Sequence, residues 1–369
     1  MFPLVLVAII DFDGIHGMKE IVTEYAAVIR DASSRGTGLA LRGSGSKDFY
    51  GTPSAGTVLD ATGYRGIVQY EPTELVLTVR AGTPLAEAET ALAEKGQILA
   101  FEPPRFGPGA TVGGCVAAGL SGPRRPYAGS VRDFVLGVRM IDGRGENVAF
   151  GGQVMKNVAG FDVSRLATGS LGTLGLLLDV SFKVLPRPVA ELTLRIETDA
   201  SQAIEIMNHW AGSPLPLSAT CYRDSALTVR LSGAPVALAA ARAKLGGAVV
   251  DDAEAFWQSL REQTLAFFEG TRPLWRLSVK STTPPLMLPG EQLIEWGGAL
   301  RWLATDLPAE VIRTAATNAG GHATLFRARG SRAPVFHPLP PALHALHRRV
   351  KRALDPNNVF NRGRMYPDL

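Results

Sequence analysis

The chain has 369 residues, of which 46% are apolar and 20% are charged, and its formal net charge is +4. This composition is that of a globular protein long enough for two domains. The charge excess is small and dispersed, so it gives no support to nucleic-acid binding. A predicted helix carries the densest basic cluster, for which a solvated helix face is the favoured interpretation and a partner-docking patch is the alternative. The cluster consists of Arg348, Arg349, Lys351 and Arg352.

Cysteine is scarce, with only Cys115 and Cys221 in the sequence and no C-x-x-C motif. The sequence therefore predicts no disulfide framework, no zinc site and no iron–sulfur cluster, and the cysteine count fits a reducing cytoplasm. We predict no metal site of any kind. A redox protein of this composition would have to pass its electrons to another protein or to a small acceptor.

The first ten residues, MFPLVLVAII, are apolar. They are too few to cross a membrane, which needs about 20 such residues, and no Lys or Arg precedes Lys19, as a signal peptide would require. We therefore expect no transmembrane segment and interpret residues 1–17 as a poorly ordered extension before Met18. An extra buried strand is the alternative.

Periodicity and turn residues predict mixed α and β elements over the first half of the chain. Apolar residues at three- and four-residue spacing predict a helix from Lys19 to Ala32. Pro84 suits the first position of a second helix, and Gly96 suits the position just beyond its end. The other predicted elements are strands at 38–42, 75–80 and 97–101, the second helix at 84–95, a hairpin over 135–150, and an apolar strand before Pro186. Pro186 and Pro188 predict a domain boundary.

Beyond residue 188 the order of the predicted elements changes. The pattern is β-α-β-β-α-β, the split-βαβ or ferredoxin-like arrangement, with elements at 191–197, 200–211, 217–222, 226–232, 235–245 and 248–250. A helix at 252–268, further strands, a helix from Ala309 and a final helix follow. We expect this part to form a second domain.

A glycine-rich loop follows the predicted strand at 38–42, in the stretch LALRGSGSKDFYG, and is of a kind that can bind phosphate. A nucleoside-triphosphate loop needs its lysine directly after the last glycine and a helix next, but Ser46 separates Gly45 from Lys47 and FYGTP cannot begin a long helix. A nicotinamide-dinucleotide fingerprint needs a glycine at position 48 and the same helix. What remains is a turn whose successive N–H groups bind an anion, with an ordinary glycine turn as the alternative.

Three glycine-rich segments, in this order, resemble the flavin-binding domain of the vanillyl-alcohol-oxidase-type (PCMH-type) flavoproteins. RGSGSK resembles the first pyrophosphate loop, ATVGGCVAAGLSGPRRPYAGSVRDFVLG the second, and ATGSLGTLGLLLDVSFKVLPRP the segment beside the adenine. DPNNVFNRGRMY resembles the family's ending, with Arg362 in place of a proline. LAFEPPRFG, KNVAGFDVSRLATGSLGTLG and GGHATLFR most resemble the FAD-binding subunits of bacterial glycolate oxidases, over nearly the whole chain from Met18.

The resemblance implies an α+β fold. A PCMH-type FAD-binding domain of two α+β subdomains, residues 18–188, would carry a ferredoxin-like α/β cap domain, residues 189–335. Residues 336–369 would be a C-terminal segment that packs on the FAD domain. FAD is the implied cofactor, and we predict that it is non-covalent because no histidine stands in or near the first loop, where covalently flavinylated relatives carry one.

The motifs imply FAD contacts in four parts of the sequence. The first loop contributes Arg42, Gly43, Ser44, Gly45, Ser46 and Lys47. The second segment and its approach contribute Pro103, Ala110, Thr111, Gly113, Gly114, Ala118, Gly119, Ser121, Gly122, Gly129 and Asp133. The third segment contributes Gly169, Gly172, Thr173, Gly175 and Leu176, and the ending contributes Asn361. The many small residues would let two backbone segments enclose an extended dinucleotide.

The implied function is that of an FAD-carrying subunit in a glycolate oxidase complex, which oxidises glycolate, a 2-hydroxy acid, to glyoxylate. A sister flavin subunit and an iron–sulfur subunit are the implied partners. The expected localisation is cytoplasmic, with peripheral membrane association through the complex left open. Two alternatives remain: a self-sufficient FAD-dependent D-2-hydroxy-acid dehydrogenase, and a non-redox assembly subunit with a vestigial flavin fold.

No catalytic residue is identified from the sequence. Oxidation of a 2-hydroxy acid needs a cationic clamp for the carboxylate and a base for the hydroxyl proton. The motifs G-D-G-N-x-H and E-H-G of related dehydrogenases do not occur. His322 fits a structural role better than a catalytic one, and His344 and His347 fit a solvated helix face better than a shared metal ligand.

Two further groups of polar residues stay open at this stage. Arg124 and Arg125 would bind pyrophosphate, clamp a substrate carboxylate, or pair with local acids, in that order of preference. The residues between the hairpin and the third segment could approach the isoalloxazine or make structural hydrogen bonds. They are Lys156, Asn157 and Asp162.

Overall fold

The computed structural model describes residues 12–152 and 163–369. The first helix, α1 (Phe12–Arg35), begins before Met18, so residues 12–17 are helical. Residues 1–11, which hold the rest of the predicted extension and the alternative strand, lie outside the described part. Buried Tyr25, Ile29 and Ala32 on one face of α1 confirm the predicted apolar periodicity.

A five-stranded antiparallel sheet with short helices forms the first half of the fold. In chain order its further elements are β1 (Leu39–Arg42), β2 (Thr57–Asp60), β3 (Ile67–Glu71), β4 (Val76–Arg80), α2 (Leu85–Ala93), β5 (Gln97–Ile98), α3 (Val112–Ala118), α4 (Arg125–Ala128), α5 (Val131–Phe134), β6 (Val135–Ile141), β7 (Asn147–Gly151), α6 (Val163–Ala167), β8 (Leu176–Lys183) and β9 (Leu185–Pro186). The sheet order is β3-β4-β8-β6-β7, and β1 and β2 form a separate parallel pair. The helix α2 and the hairpin β6–β7 confirm two of the predicted elements.

The predicted strand at 97–101 is wrong beyond Ile98. Phe101 is fully buried, but the chain turns at this point, because Glu102 N donates to Leu99 O at 3.0 Å and Glu102 has a φ of +48°. A short apolar run enters the core equally well as a strand or as a turn, so its sequence pattern could not separate the two.

An eight-stranded antiparallel sheet forms the second half. Its elements are β10 (Ala190–Glu197), α7 (Ala200–Ala211), β11 (Leu217–Arg223), β12 (Ala226–Gly233), α8 (Pro235–Leu245), β13 (Ala248–Val249), α9 (Ala253–Glu262), α10 (Ala266–Glu269), β14 (Leu274–Ser278), β15 (Glu291–Glu295), β16 (Leu300–Ala304), α11 (Ala309–Asn318) and β17 (His322–Arg327), followed by α12 (Pro341–Leu354). The strand order is β13-β10-β12-β11-β15-β16-β14-β17. The predicted helix at 252–268 is wrong as one element, because Gln263, with a φ of +57°, separates α9 from α10.

The sheet consists of two related units joined edge to edge. Strands β10 to β13 confirm the predicted ferredoxin-like unit, since its fourth, first, third and second strands are neighbours in that order. Strands β14 to β17 repeat this order in reverse, from second to fourth strand, on the other side of the β11–β15 contact, where Cys221 pairs with Glu295. A loop at residues 279–290 takes the place of the first helix in this second unit. The repeat has no counterpart in the sequence-based predictions.

A network of charged side chains joins the two halves. Glu102 of the first half accepts from Arg230 of β12 at 2.8 Å and from Arg124 Nε at 3.3 Å. Arg124 Nη2 also pairs with Glu191 of β10 at 2.6 Å. Because the side chains of Arg124 and Arg230 are only 10% and 6% exposed, their pairs with Glu102 are shielded from solvent and fix one half against the other.

The chain returns to the first half after α12. Phe360 forms a parallel bridge with Leu39 of β1, and Leu39 N donates to Val359 O at 2.8 Å. The residues after α12 therefore extend the β1–β2 pair. Within residues 12–152 and 163–369, no helix combines the length and apolar character that a membrane crossing requires.

Lys351 of α12 is buried and stabilises the segment that follows this helix. Its Nζ donates to Asp355 Oδ2 at 2.6 Å, to Thr173 O at 2.7 Å and to Phe360 O at 2.9 Å. The interpretation of the basic cluster as a solvated helix face is therefore wrong for Lys351, whose side chain is 7% exposed. The other members of the cluster are exposed: Arg348, Arg349 and Arg352.

Replacing Lys351 by methionine should lower the free energy of unfolding by about 3–5 kcal/mol, because the buried carboxylate of Asp355 loses its charged partner. The measurement is urea unfolding followed by tryptophan fluorescence. Arg352→Met, at the next and exposed position of the same helix, is the matched control and should change the free energy by less than about 0.5 kcal/mol. Equal losses in the two variants would contradict an internal role for Lys351.

Candidate functional site

The glycine loop after β1 holds a row of unpaired main-chain donors. The N–H groups of residues 43–47 donate to no acceptor in the described part of the chain, whereas the following Asp48 N donates to Gly45 O at 3.0 Å. Gly45 has a φ of +80°, as in the turns that bring successive N–H groups together around an anion. An ion pair between Arg42 Nη2 and Asp48 Oδ2, at 2.6 Å, closes the turn from outside. The loop has the geometry of an anion-binding turn.

The second glycine segment lies directly against this loop. A Cβ atom on Gly43 would lie 2.5 Å from Thr111 Oγ1, and one on Gly109 would lie 3.3 Å from Ser44 Cβ. Thr111 precedes α3, and its hydroxyl accepts the N–H of Gly114 at 3.2 Å. The side chain of Thr111 can approach the main chain of residue 43 this closely only because that residue is glycine.

The third segment contacts the second directly and is joined to β1, before the first loop, through Asn361. A Cβ atom on Gly119 would lie 2.8 Å from the Cα of Gly169, so two glycine backbones meet there. The side chain of Asn361 donates to Leu171 O at 2.6 Å and accepts from Leu41 N at 2.7 Å. Asn361 therefore ties the third segment to β1, and both ends of its amide are used by main-chain groups.

The structure places several other predicted contacts in local roles. Lys47 Nζ donates to Arg105 O at 3.1 Å, and burial lowers the pKa of Lys47. Asp133 Oδ2 accepts from the N and the Oγ of Ser130, both at 2.8 Å, and so caps α5, with Gly129 beside it. The remaining predicted contacts are mostly buried among the three segments: Pro103, Ala110, Gly113, Ala118, Gly172, Thr173, Gly175 and Leu176.

The catalytic candidates taken from the sequence are not brought together. His322 is exposed, with its ring 6.5 Å from that of His337, and His344 Nε2 lies 3.0 Å from Asp368 Oδ1. In the described residues, no group of three or more His, Cys, Asp or Glu side chains could hold a metal ion. Three candidates lie outside the described residues: Lys156, Asn157 and Asp162.

The order of preference for Arg124 is wrong. Its guanidinium pairs with Glu102 and Glu191, which is the interpretation that ranked last. The sequence could not show this, because Glu191 comes from the other half of the fold.

A narrow cavity between the second glycine segment and the eight-stranded sheet was missed by sequence reasoning. Ser121 and Gly122 line it on one side, and Arg276, Glu295 and Trp296 line it on the other. Trp296 Nε1 donates to Gly122 O at 3.1 Å and so closes one end. The sheet residues come from separate strands, and the sole sequence clue was an acid, Glu295, directly after the apolar run of β15.

Glu295 is the buried acid of this cavity. Its Oε1 accepts from Trp302 Nε1 at 2.6 Å. Burial raises the pKa of Glu295 to about 7, against the opposing effects of the Trp302 hydrogen bond and of Arg276. Its carboxyl group therefore changes charge near neutral pH.

The three glycine segments fit the pyrophosphate of FAD. Successive unpaired N–H groups supply donors for anionic oxygens, and the small residues at 43, 109, 119 and 169 keep side chains out of the space beside them. The cavity with Glu295 and Trp296 adjoins the same second segment through Ser121 and Gly122. These features define a class, the flavoproteins that bind FAD between glycine-rich loops.

Comparisons with known proteins agree with this class. A family model described as an FAD binding domain matches residues 20–151. Glycolate oxidase subunit GlcE of Escherichia coli (strain K12) is 52% identical over 341 residues, which cover 92% of this chain and 96% of that protein. Glycolate oxidase subunit GlcD of Bacillus subtilis (strain 168) is 30% identical over 173 residues, or 46% of this chain and 37% of GlcD. A structure of alkyldihydroxyacetonephosphate synthase has a TM-score of 0.63 at 14% identity over 91% of this chain and 73% of its own, and shows the fold alone.

The chain belongs to the family of the glycolate oxidase subunit GlcE. It is an FAD-binding oxidoreductase with a PCMH-type α+β fold, which confirms the fold class, the family and the cofactor expected from the sequence.

Replacing Gly43 by alanine should weaken FAD binding by at least about tenfold, because the new methyl group would displace Thr111 and disturb the row of donors at residues 43–47. The measurement is the quenching of flavin fluorescence when FAD is added to the FAD-depleted chain. Gly270→Ala is the control, since a Cβ atom there meets nothing within 4 Å and its φ of −56° suits any residue. An unchanged FAD affinity in Gly43→Ala would place the pyrophosphate elsewhere.

Proposed function

We propose that this chain is the FAD-carrying subunit of a glycolate oxidase complex and takes part in the oxidation of glycolate to glyoxylate. The observation that carries the proposal is the row of unpaired N–H groups at residues 43–47, enclosed by two further glycine segments. The 52% identity to GlcE over nearly its whole length supports the choice of complex.

The residues proposed to hold FAD are those predicted from the sequence. Bound FAD would supply a two-electron acceptor for the oxidation of the hydroxy acid. The N–H groups of residues 43–47 would bind its pyrophosphate, while Gly119 and Gly169 leave room for the dinucleotide beside the main chain. Arg42, Asp133 and Asn361 act as positioning residues, because each is already bound to groups of the protein.

We assign residues 18–188 to the FAD-binding domain, 189–335 to the cap domain and 336–369 to the C-terminal segment that returns to the first. The two separate sheets and the bridge between Leu39 and Phe360 support this division.

Electrons would leave for another protein, and an iron–sulfur subunit together with a sister flavin subunit are the proposed partners. The chain's two cysteines support this, because both are buried in different halves of the fold and are far apart in sequence. They therefore could not together hold an iron–sulfur cluster that would carry the electrons within this chain. The two free thiols are also consistent with the cytoplasmic location that we propose, with any membrane contact made through the partners.

The chain purified alone should show the absorbance of an oxidised flavin, and anaerobic glycolate should reduce that flavin only after the sister subunit is added. The reason is that this chain lacks the histidine motifs with which related 2-hydroxy-acid dehydrogenases hold their proton acceptor. An absorbance spectrum before and after glycolate, and then D-lactate, makes the measurement. Bleaching of the chain alone would favour a self-sufficient dehydrogenase, and a chain that takes up no FAD on reconstitution would favour an assembly subunit.

Acid precipitation should release all of the flavin into the supernatant, because no histidine stands in or near residues 39–51 to form a covalent bond. The yellow colour of the pellet and of the supernatant is compared after centrifugation. Colour that stays with the protein would contradict non-covalent binding.

A further inference from the structure

One side of α12 is exposed and carries arginines beside leucines. The helix lies against the rest of the protein through His344, His347 and Lys351, which are three and four positions apart. The sequence of the helix, PALHALHRRVKRAL, contains no aspartate or glutamate. We call the large exposed side chains of its other side the α12 face: Leu343, Leu346, Arg348, Arg349 and Arg352. The α12 face is therefore basic and partly apolar.

Other cations on and beside this helix have acidic partners. On the buried side, Lys351 Nζ lies 2.6 Å from Asp355 Oδ2. At the C-terminal end of the helix, Arg144 Nη1 donates to the main chain of α12 and lies 2.8 Å from Asp142 Oδ2. The fold thus supplies a nearby acid to each of these two cations, which have structural roles.

The arginines of the α12 face lack close partners. Arg348 Nε lies 3.9 Å from Asp368 Oδ2, and Arg349 and Arg352 form no hydrogen bond or ion pair with any residue that the structure describes. Arg348 and Arg352 are four positions apart, a spacing at which like charges destabilise a helix. The helix dipole favours cations in the last turn, which accounts for Arg352 but not for Arg348 or Arg349. The stability of the isolated chain therefore does not explain this cluster.

The composition of the α12 face is that of a protein interface. Leu343 and Leu346 are 41% and 51% exposed beside the arginines. Protein interfaces are enriched in arginine and depleted of lysine, and here every exposed cation of the helix is an arginine while its lysine is buried. A guanidinium binds a carboxylate through two parallel hydrogen bonds. These features indicate a protein partner whose surface carries carboxylates.

The helix is held in place from its buried side. Lys351 Nζ donates to Thr173 O of the third glycine segment at 2.7 Å and to Phe360 O at 2.9 Å. Binding on the α12 face would therefore not require the helix to become ordered. Because an α-helix is about 10–12 Å in diameter, a partner on this face would lie about that far from the third glycine segment.

We propose that the α12 face is a docking surface for an acidic surface of another subunit of the oxidase complex. This choice of partner rests on the proposed function. A second copy of the chain fits less well, because a symmetric dimer brings the same surface of both copies together, and two α12 faces would meet with no acid between their arginines.

A lipid surface also fits less well. Helices that lie in a membrane interface bury a continuous apolar face that is rich in Trp, Phe and Leu. The α12 helix contains no Phe, Trp or Tyr, and Leu343 and Leu346 are each about half covered by the protein itself. The arginines would reach lipid phosphates, but little apolar surface would follow them.

The test measures binding of the full-length, FAD-loaded chain to the purified sister flavin subunit and iron–sulfur subunit, each alone and both together, by biolayer interferometry. Arg349→Glu should weaken the binding by at least about tenfold, because attraction to acids becomes repulsion. Leu346→Ser should weaken it by at least about threefold, because apolar burial is lost. Added salt should weaken the binding of the unaltered chain more than that of Arg349→Glu.

The helix α8 supplies matched controls. Arg242→Glu and Val236→Ser change exposed residues of that helix and should leave the affinity unchanged. The photocross-linker p-benzoylphenylalanine in place of the exposed Ala345 should attach to the partner subunit, whereas the same group in place of the exposed Ala239 of α8 should not. The flavin spectrum and urea unfolding of each variant check that it is folded.

The possible failures are distinguishable. Unchanged binding in Arg349→Glu and Leu346→Ser, with no cross-link from position 345, would overturn the docking surface alone. A chain that binds neither subunit would overturn the proposed complex and this surface together. If Arg349→Glu instead abolished sedimentation with phosphatidylglycerol vesicles, or self-association in size-exclusion chromatography, while subunit binding stayed unchanged, the face would belong to a membrane contact or to a second copy and the proposal would be wrong.

Discussion

The conformation of the glycine loop at residues 43–47, whose five N–H groups meet no acceptor among the described residues, is the constraint on which the FAD-binding half depends. Main-chain donors need an acceptor, which is water where they are exposed and a bound anion where a ligand displaces that water. The structure holds this loop from three sides: the Arg42–Asp48 ion pair, the close approach of Thr111 to Gly43, and the bond from Leu41 to Asn361. The anion site is therefore a product of contacts between distant parts of the chain rather than of a local motif.

The charges between the two halves serve two different purposes. Glu102 with Arg124 and Arg230 forms a closed network, whose loss would leave shielded charges unpaired, and it positions the eight-stranded sheet over the second glycine segment. Arg276 of β14 has a different role inside the eight-stranded sheet: it lies over the indole ring of Trp296, and its positive charge opposes the rise that burial causes in the pKa of Glu295. Paired charges thus fix one half against the other, while Arg276 acts on the buried acid of the cavity.

Local features were predictable from the sequence, and long-range ones were not. Turn residues and apolar spacing located α2, the hairpin β6–β7 and the first ferredoxin-like unit, because these depend on neighbours in sequence. The second unit was not predicted, because it lacks the first helix of the repeat. The internal role of Lys351 was not predicted, because its partner Thr173 comes from another segment. The group around Glu295 was not predicted, because its members come from separate parts of the sheet.

The contact between Leu41 and Asn361 spans 320 positions of sequence. During synthesis, the glycine loop at residues 43–47 leaves the ribosome long before Asn361 exists, so the loop spends most of the chain's production without the group that ties it to the third segment. The support that Asn361 gives to β1 and to the third segment is therefore a property of the finished polypeptide and not of its nascent first domain.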